Sequence, residues 1–354
     1  MQIHVDKRCL WWGLLSAVIA SLLACGGAST SSARLEDYVS RLERALEVER
    51  PAAPSFRPPR LSEARLAKLP INTTAISVLD FLALSGCELQ VNIGRRNSTL
   101  GRNASSSQAL LLDVEFLHQV PHCVTRLKKQ NNTTLATTLE TMADERKAAL
   151  PRRIFNALLA ESEFGELWHL PPQLDDYPAH VNGDVIASLN YFDTVIRQWL
   201  QGNYSANFAN HNALFEGHLA QLRAGDGGAL LLASSTLYRY LAQASVLLRN
   251  RNTDKPLCPG GRVTRSAEIA QTVITKFFTT HTQPWLASVN ARRHSLMAPL
   301  QSIEEQLAPV LPVTYKAWQA QRDATLDTTA EAPKSHIATV KAVFAACAST
   351  PWSR

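Results

Sequence analysis

The sequence lacks a hydrophobic run long enough to cross a bilayer. Its uncharged apolar stretch at residues 10–23 is shorter than the roughly 20 residues that a membrane-spanning helix requires. Lys7 and Arg8 precede this stretch, and small residues surround Cys25 directly after it, in the segment SLLACGG at residues 21–27. A basic start, a short apolar centre and small residues at the end predict a cleaved signal peptide that takes no part in the fold.

The segment around Cys25 resembles the bacterial lipobox. The resemblance implies that the Cys25 sulfur receives a diacylglyceryl group, that the leader is cut off before it, and that the new amino terminus is acylated, for example with palmitate. We therefore predict a lipoprotein signal peptide at residues 1–24 and a flexible tether at residues 25–34. An Asp directly after the lipid-bearing cysteine would resemble an inner-membrane retention signal, but this position is Gly26. We therefore expect a lipid anchor in the outer membrane, facing the periplasm.

The chain also lacks a strong excess of charge. Its 36 Lys and Arg residues against 30 Asp and Glu residues give a net charge of +6. The excess is spread along the sequence and does not form the clustered basic and aromatic pattern of a nucleic-acid-binding protein. We therefore expect the membrane as a partner through the anchor, together with an envelope protein or polymer, and no nucleic acid.

Cysteines are few, and their number fits export to an oxidising compartment. With Cys9 in the leader and Cys25 carrying the lipid, four remain, at positions 87, 123, 258 and 347. Four cysteines allow three pairings, and the sequence alone does not choose among them. Proximity in the chain favours Cys87 with Cys123 and Cys258 with Cys347, and four buried thiols are the alternative. A four-cysteine metal site is disfavoured because no Cys-x-x-Cys pair is present.

Alternation of apolar and polar residues with a period of two is nearly absent, which argues against a sizeable sheet. Apolar residues instead recur at three- and four-residue steps, and they predict an all-α array of roughly ten helices with short loops. We expect residues 35–354 to form a single α-helical domain. Its prolines predict a stiff segment at residues 51–59, draped across the body, and helix breaks at Pro121 and Pro151 and between residues 326 and 337.

Several common catalytic signatures are missing. The chain contains no Gly-x-Ser-x-Gly, Ser-x-x-Lys or His-Glu-x-x-His pattern and no phosphate loop ending in Gly-Lys-Ser or Gly-Lys-Thr. Glu115, His118 and His122 would share one face of an unbroken helix, as metal ligands do, but Pro121 argues against that helix. We therefore predict no catalytic residue, no metal and no cofactor.

The polar segment at residues 95–107 is the strongest candidate for a binding site. We predict that it is turn-like and that Arg96, Asn97 and Arg102 form a polar binding loop, which the nearby cysteine pair holds rigidly enough to bind an anion. In the alternative interpretation, Asn97 and Ser98 cap a turn and the arginines remain solvated or pair with carboxylates.

The residues in and around this segment resemble a known family. The pattern consists of Cys87, Arg96-Asn97-Ser98-x-Leu100-Gly101, Ser107-Gln108, Cys123 and Asn156-Ala157. It is similar to domain-of-unknown-function family 3080, which comprises gammaproteobacterial lipoproteins. The resemblance implies an exported, predominantly helical protein, and it implies no particular activity.

These observations predict a lipoprotein that acts as a non-catalytic binding or scaffolding module of the cell envelope. The alternative is an envelope hydrolase that acts on glycan, lipid or peptide. A concave cluster of Glu, Asp and His with raised carboxyl pKa values would favour the hydrolase. An apolar groove would favour the binding module.

Overall fold

A computed structural model describes residues 30–347, except for 63–66, 73, 182 and 205–207; at residues 208–211 it describes the backbone alone. The predicted signal peptide and Cys25 lie outside the described residues. Within those residues the regular secondary structure is helical and no strand is present, which confirms the all-α prediction. No helix in this part of the chain is long and apolar enough to span a membrane.

The helices are numbered α1 to α13 in chain order. They are α1 (Ser31–Leu46), α2 (Val78–Ala83), α3 (Glu88–Asn97), the single turn α4 (Thr99–Arg102), α5 (Ser106–Lys129), α6 (Thr133–Ala157), α7 (Ser162–Leu167), α8 (Asp184–Leu200), α9 (Phe208–Leu222), α10 (Gly227–Asp254), α11 (Arg265–Val273), α12 (Gln283–Gln306) and α13 (Val313–Phe344). A π-helical stretch at Ile274–Thr282 joins α11 to α12. Helix α1 begins at Ser31, so the last four residues of the predicted tether are helical.

The predicted helix breaks at prolines are wrong. Pro121, Pro151 and Pro333 lie inside the continuous helices α5, α6 and α13. A proline in a helix interior costs about 3 kcal/mol, because it removes a hydrogen bond and crowds the preceding turn. Buried side chains close to these prolines, such as Leu150 directly before Pro151 and Ile154 three residues after it, hold the helices to their neighbours. Packing therefore outweighs the local penalty.

The buried side chains form two hydrophobic clusters. The first core includes residues of α3, α5, α6, α8 and α12, and Trp168 and Trp318 are among its largest members. The second core includes residues of α1, α11 and the π-helical stretch, and Tyr38 and Phe278 are among its largest members. Helices α10 and α13 contribute residues to both cores. These two long helices, packed along each other, therefore join the two halves of the core.

The proline-rich segment after α1 lies against the helical body, as predicted. Near its start, the Gln243 Nε2 donates to the carbonyl oxygen of Pro51 over 2.9 Å. Further along, the buried amide of Asn156 donates to the Leu69 carbonyl over 2.8 Å and accepts from the Leu69 N–H over 2.7 Å. Both backbone groups of Leu69 are thereby satisfied by one side chain, which fixes the segment on α6.

Both predicted disulfides are present. Cys87 and Cys123, 36 positions apart, have their Cα atoms at 5.7 Å, and the bridge ties the start of α3 to α5. Cys258 and Cys347, 89 positions apart, have their Cα atoms at 5.1 Å, and this bridge ties the end of α13 to the turn after α10. The pairing favoured by proximity in the chain is therefore confirmed.

Candidate anion-binding site

The polar segment that was predicted as a loop is a tight junction between two helices. Helix α3 continues to Asn97, and α4 follows after a single residue, Ser98. The Ser98 hydroxyl donates to the Arg95 carbonyl over 2.7 Å and accepts from the Gly101 N–H over 3.1 Å. A Cβ atom on Gly101 would lie 2.0 Å from the Arg95 carbonyl oxygen. Only glycine therefore lets the two helices meet this closely.

The junction separates the three residues predicted to bind an anion. Arg96 faces α5, and its side chain is only 21% exposed. Asn97 and Arg102 are exposed, and neither forms a hydrogen bond or ion pair with Arg96. Arg96 therefore belongs to a buried polar cluster, whereas Asn97 and Arg102 lie on the surface beside it.

The cluster is centred on the carboxylate of Asp113, whose side chain is 1% exposed. The Arg96 Nη1 lies 2.7 Å from its Oδ1, and the Arg153 Nε lies 2.6 Å from its Oδ2. The Arg146 Nε lies 3.3 Å from Oδ1. We call these three arginines around Asp113 the arginine cluster. It was not predicted as a unit, because only Arg96 was identified from the sequence.

Three helices position these side chains. Asp113 lies on the buried face of α5, and Arg146 and Arg153 lie seven residues apart on α6 and so share one face of that helix. Arg146 is held in place by the Phe116 ring, whose centroid is 3.9 Å from its guanidinium carbon, and by the Met142 carbonyl, 3.1 Å from its Nη1.

Helix α3, which carries Arg96, is fixed on α5 from two sides. The buried amide of Asn92 donates to the Leu112 carbonyl and to the Glu115 carboxylate, each over 3.0 Å. Arg95 forms an ion pair with the same Glu115 carboxylate. The disulfide described above secures the start of α3. The guanidinium of Arg96 is therefore presented from a rigid support.

Positive charge exceeds negative charge in the arginine cluster. Burial lowers the pKa of both Arg146 and Arg153, and the charge of neighbouring Arg96 lowers it further. The negative charge of Asp113 opposes this shift but does not cancel it. The other acid near Arg146 is Glu145. Its carboxylate accepts hydrogen bonds from the Thr74 N–H over 2.9 Å and from the Thr74 hydroxyl over 2.7 Å. One buried carboxylate thus faces three guanidinium groups.

Two of these guanidinium groups retain unused donors. Arg96 and Arg153 contact Asp113 and form no other hydrogen bond or ion pair with a described residue. Their side chains are 21% and 12% exposed. A guanidinium carries five N–H donors in a planar fork that suits carboxylate and phosphate oxygens. The arrangement can therefore hold an anion beside Asp113.

The predicted absence of a metal site rested on Pro121 breaking a helix, and that reason is wrong. His118 and His122 share α5, with ring centroids 6.4 Å apart, and the His118 Nδ1 lies 3.0 Å from the Tyr204 carbonyl oxygen. Glu115 points instead to α3, as described above. In the part of the chain that the structure covers, no three His, Cys, Asp or Glu side chains are grouped as metal ligands.

Two serine–histidine pairs superficially suggest a nucleophile and its base. The His336 Nδ1 lies 2.9 Å from the Ser245 Oγ, and the His218 Nδ1 lies 3.0 Å from the Ser188 Oγ. Each serine hydroxyl donates instead to the backbone carbonyl four residues earlier. The imidazole is therefore the donor and does not take the serine proton. In the first pair, the His336 Nε2 accepts from the Tyr38 hydroxyl over 2.8 Å, and burial lowers the pKa of His336 to about 3.

Comparison with known proteins gives one assignment. No curated protein and no solved structure is significantly similar to this chain. The pattern shared by the proteins of unknown function DUF3080 matches residues 35–351. This range includes the three arginines of the arginine cluster and their central Asp113, together with both disulfides. The chain therefore belongs to the DUF3080 family of proteins of unknown function.

Proposed function

We propose that this protein is a lipoprotein anchored in the outer membrane through Cys25 and facing the periplasm. In this proposal it is a non-catalytic binding module, and its arginine cluster holds an anionic group of an envelope polymer or protein. The lipobox-like sequence supports the anchor, and the geometry of the arginine cluster supports the binding role.

The observation that carries the binding role is the imbalance of charge at Asp113. Arg96 and Arg153 approach opposite oxygens of this buried carboxylate, at 2.7 and 2.6 Å, and form no other hydrogen bond or ion pair with a described residue. A buried charge normally has a partner, because its desolvation is costly. A bound anion would supply the missing negative charge and accept the unused N–H donors.

Preorganisation makes the site suited to binding. A free arginine side chain carries about 2 kcal/mol of rotamer entropy, part of which is lost when it binds a ligand. Asp113 already restrains Arg96 and Arg153, so less of this entropy remains to be lost. The planar fork of each guanidinium favours oxyanions with two accessible oxygens, such as phosphate and carboxylate groups.

The binding role is tested by titrating the purified chain with inorganic phosphate in a calorimeter, using wild-type protein and two variants. Arg153→Ala removes a donor of the arginine cluster, and Arg152→Ala removes an adjacent exposed arginine with the same change in charge. We expect Arg153→Ala to weaken binding about tenfold or more, as loss of a charged hydrogen bond implies. Arg152→Ala should leave the affinity within about twofold, since exposed charges contribute little.

Equal losses of phosphate affinity in the two variants would show that binding depends only on the net charge of the protein, and the proposed site would then be wrong. Thermal melts of both variants accompany the titrations, because a folded Arg153→Ala protein is needed for the comparison. Arg96 and Arg146 still neutralise Asp113 in that variant.

The anchor is tested separately. Replacing Cys25 by Ala should leave an uncleaved or soluble protein, whereas the wild-type chain should fractionate with the outer membrane. Lipid modification supplies buried methylenes at about 0.8 kcal/mol each, so its loss has a large effect on membrane binding. Normal processing and membrane fractionation of the Cys25→Ala protein would contradict the anchor and leave the binding role unaffected.

A further inference from the structure

A second candidate site lies between α10, α12 and α13, where the two cores meet. A groove of about 680 Å³ opens there, and Leu237, Leu286, Val289 and Leu326 line its apolar part. Leu237 belongs to the second core, whereas Val289 and Leu326 belong to the first. Its volume is within the range typical of small-molecule sites, which also occur preferentially where two structural units meet.

The groove continues into a smaller cavity of about 210 Å³ along α12 and α13. Arg293, His294, Leu326 and Asp327 line both spaces. The two spaces therefore adjoin at these side chains, and we call them together the trough; the larger space is mostly apolar, whereas polar and apolar residues both line the smaller one. An apolar space with charged side chains at one side suits a ligand that has an apolar chain and one charged end.

An ion pair crosses the trough at the point where its two parts meet. The Arg293 Nη2 lies 2.6 Å from the Asp327 Oδ1, and the two side chains are 23% and 74% exposed. Arg293 is thus held by its surroundings, while Asp327 is mostly in water. A ligand carboxylate that displaced Asp327 would leave no buried charge unpaired, because the Asp327 side chain would become fully hydrated.

The remaining charges at the rim do not favour a cationic ligand. Lys334 and Glu331 form an exposed ion pair with each other at 2.7 Å. The Nδ1 of His294 lies 2.8 Å from the Asn290 carbonyl oxygen. Arg293 is therefore the partly buried cation of the trough, and a ligand carboxylate would reach it by displacing Asp327.

We propose that this trough binds a single-chain fatty acid. Its carboxylate pairs with Arg293 in place of Asp327, and its alkyl chain lies along Leu237, Leu286 and Val289. This site is separate from the arginine cluster and goes beyond the function proposed above. It requires an apolar chain, whereas the arginine cluster requires only an oxyanion.

The test measures binding of dodecanoate and of dodecanol to the full chain, below the concentration at which either forms aggregates. Wild-type protein should bind dodecanoate saturably and more tightly than dodecanol. Arg293→Gln should weaken dodecanoate binding about tenfold or more and leave dodecanol binding unchanged. Asp327→Asn should strengthen dodecanoate binding severalfold, because it removes the competing carboxylate.

Asp144→Asn is the matched control, since Asp144 is 76% exposed and pairs with Lys147 on α6. It removes the same charge from a similarly exposed carboxylate and should leave dodecanoate binding unchanged. Weaker or unchanged binding in Asp327→Asn, equal gains in both Asp variants, or no saturable binding would each overturn the proposal. Arg293→Gln should bind inorganic phosphate as the wild-type chain does, because Arg293 lies outside the arginine cluster; failure at this site is therefore distinguishable from failure at the arginine cluster.

Discussion

Replacing Glu304 by Gln should remove more stability than neutralising an exposed carboxylate. Glu304 and Arg322 form an ion pair with both side chains fully buried, and both guanidinium Nη atoms donate to the two carboxylate oxygens over 2.7 Å. The Tyr315 hydroxyl and the Gln319 amide donate to the same carboxylate over 2.7 and 2.8 Å. The substitution keeps the shape of the side chain but removes its charge and one acceptor oxygen.

The expected loss follows from what remains around Arg322. Burial alone would lower the pKa of Arg322, but the charge and hydrogen bonds of Glu304 reverse this effect and raise it above its ordinary value. In the variant, the guanidinium stays charged and buried, with Asp323 at 2.8 Å as its remaining acid. Removing one partner of a buried ion pair costs about 3–5 kcal/mol. That is a large part of the 5–15 kcal/mol by which proteins are typically stable.

Urea unfolding followed by tryptophan fluorescence measures this loss, because the Trp168 and Trp318 rings lie 5.2 and 5.0 Å from the Arg322 guanidinium. The matched control is Glu331→Gln, which neutralises an exposed ion pair and should change the free energy of unfolding by less than about 1 kcal/mol. If the two variants unfolded at the same urea concentration with equal slopes, the stabilising role assigned to the buried pair would be refuted.

Two further predictions concern His336 and Asn156. The pKa of His336 is lowered in the folded protein to about 3, so its contribution to stability is full above pH about 6.5 and is lost as the pH falls towards 3. In urea titrations, the free energy of unfolding lost between pH 6 and 4.5 should be smaller in His336→Gln than in the wild type by about 2 kcal/mol. Replacing the exposed His281 should not reduce this loss. Asn156→Ala should destabilise the protein by about 2 kcal/mol, because it leaves the backbone of Leu69 without its partner, and should speed proteolysis of residues 51–72; unchanged cleavage would contradict the role assigned to Asn156.

The helical fold was predictable because its signal is local. Leu35, Tyr38, Val39 and Leu42 recur at helical spacing, and all four are buried in α1. The continuity of the helices through proline was not predictable in this way. The rule that proline breaks a helix considers only the lost hydrogen bond and the crowding of the preceding turn. It does not include the packing against distant helices that keeps α5, α6 and α13 unbroken. No sequence signal indicated the π-helical stretch between α11 and α12.

The candidate site was predictable only in part, because its members come from three separate helices. Arg96 stood out within a recognisable motif, but the motif mostly encodes the close helix junction at Ser98 and Gly101. Asp113 could have been noticed, since it lies in the same apolar stripe as Leu110 and Leu117 and is a charged residue on a buried face. Which arginines would reach it depends on how α3 and α6 pack against α5, and spacing along the chain does not determine that.

The central claim is that the arginine cluster holds an anionic component of the envelope. The most direct test places a photoreactive residue at Asn97, which is exposed and adjacent to Arg96, in the lipidated protein within intact cells. The account predicts a crosslink to a component bearing phosphate or carboxylate groups, and it predicts that this crosslink disappears in Arg153→Ala and persists in Arg152→Ala. A crosslink that is equally strong in both variants would contradict the account.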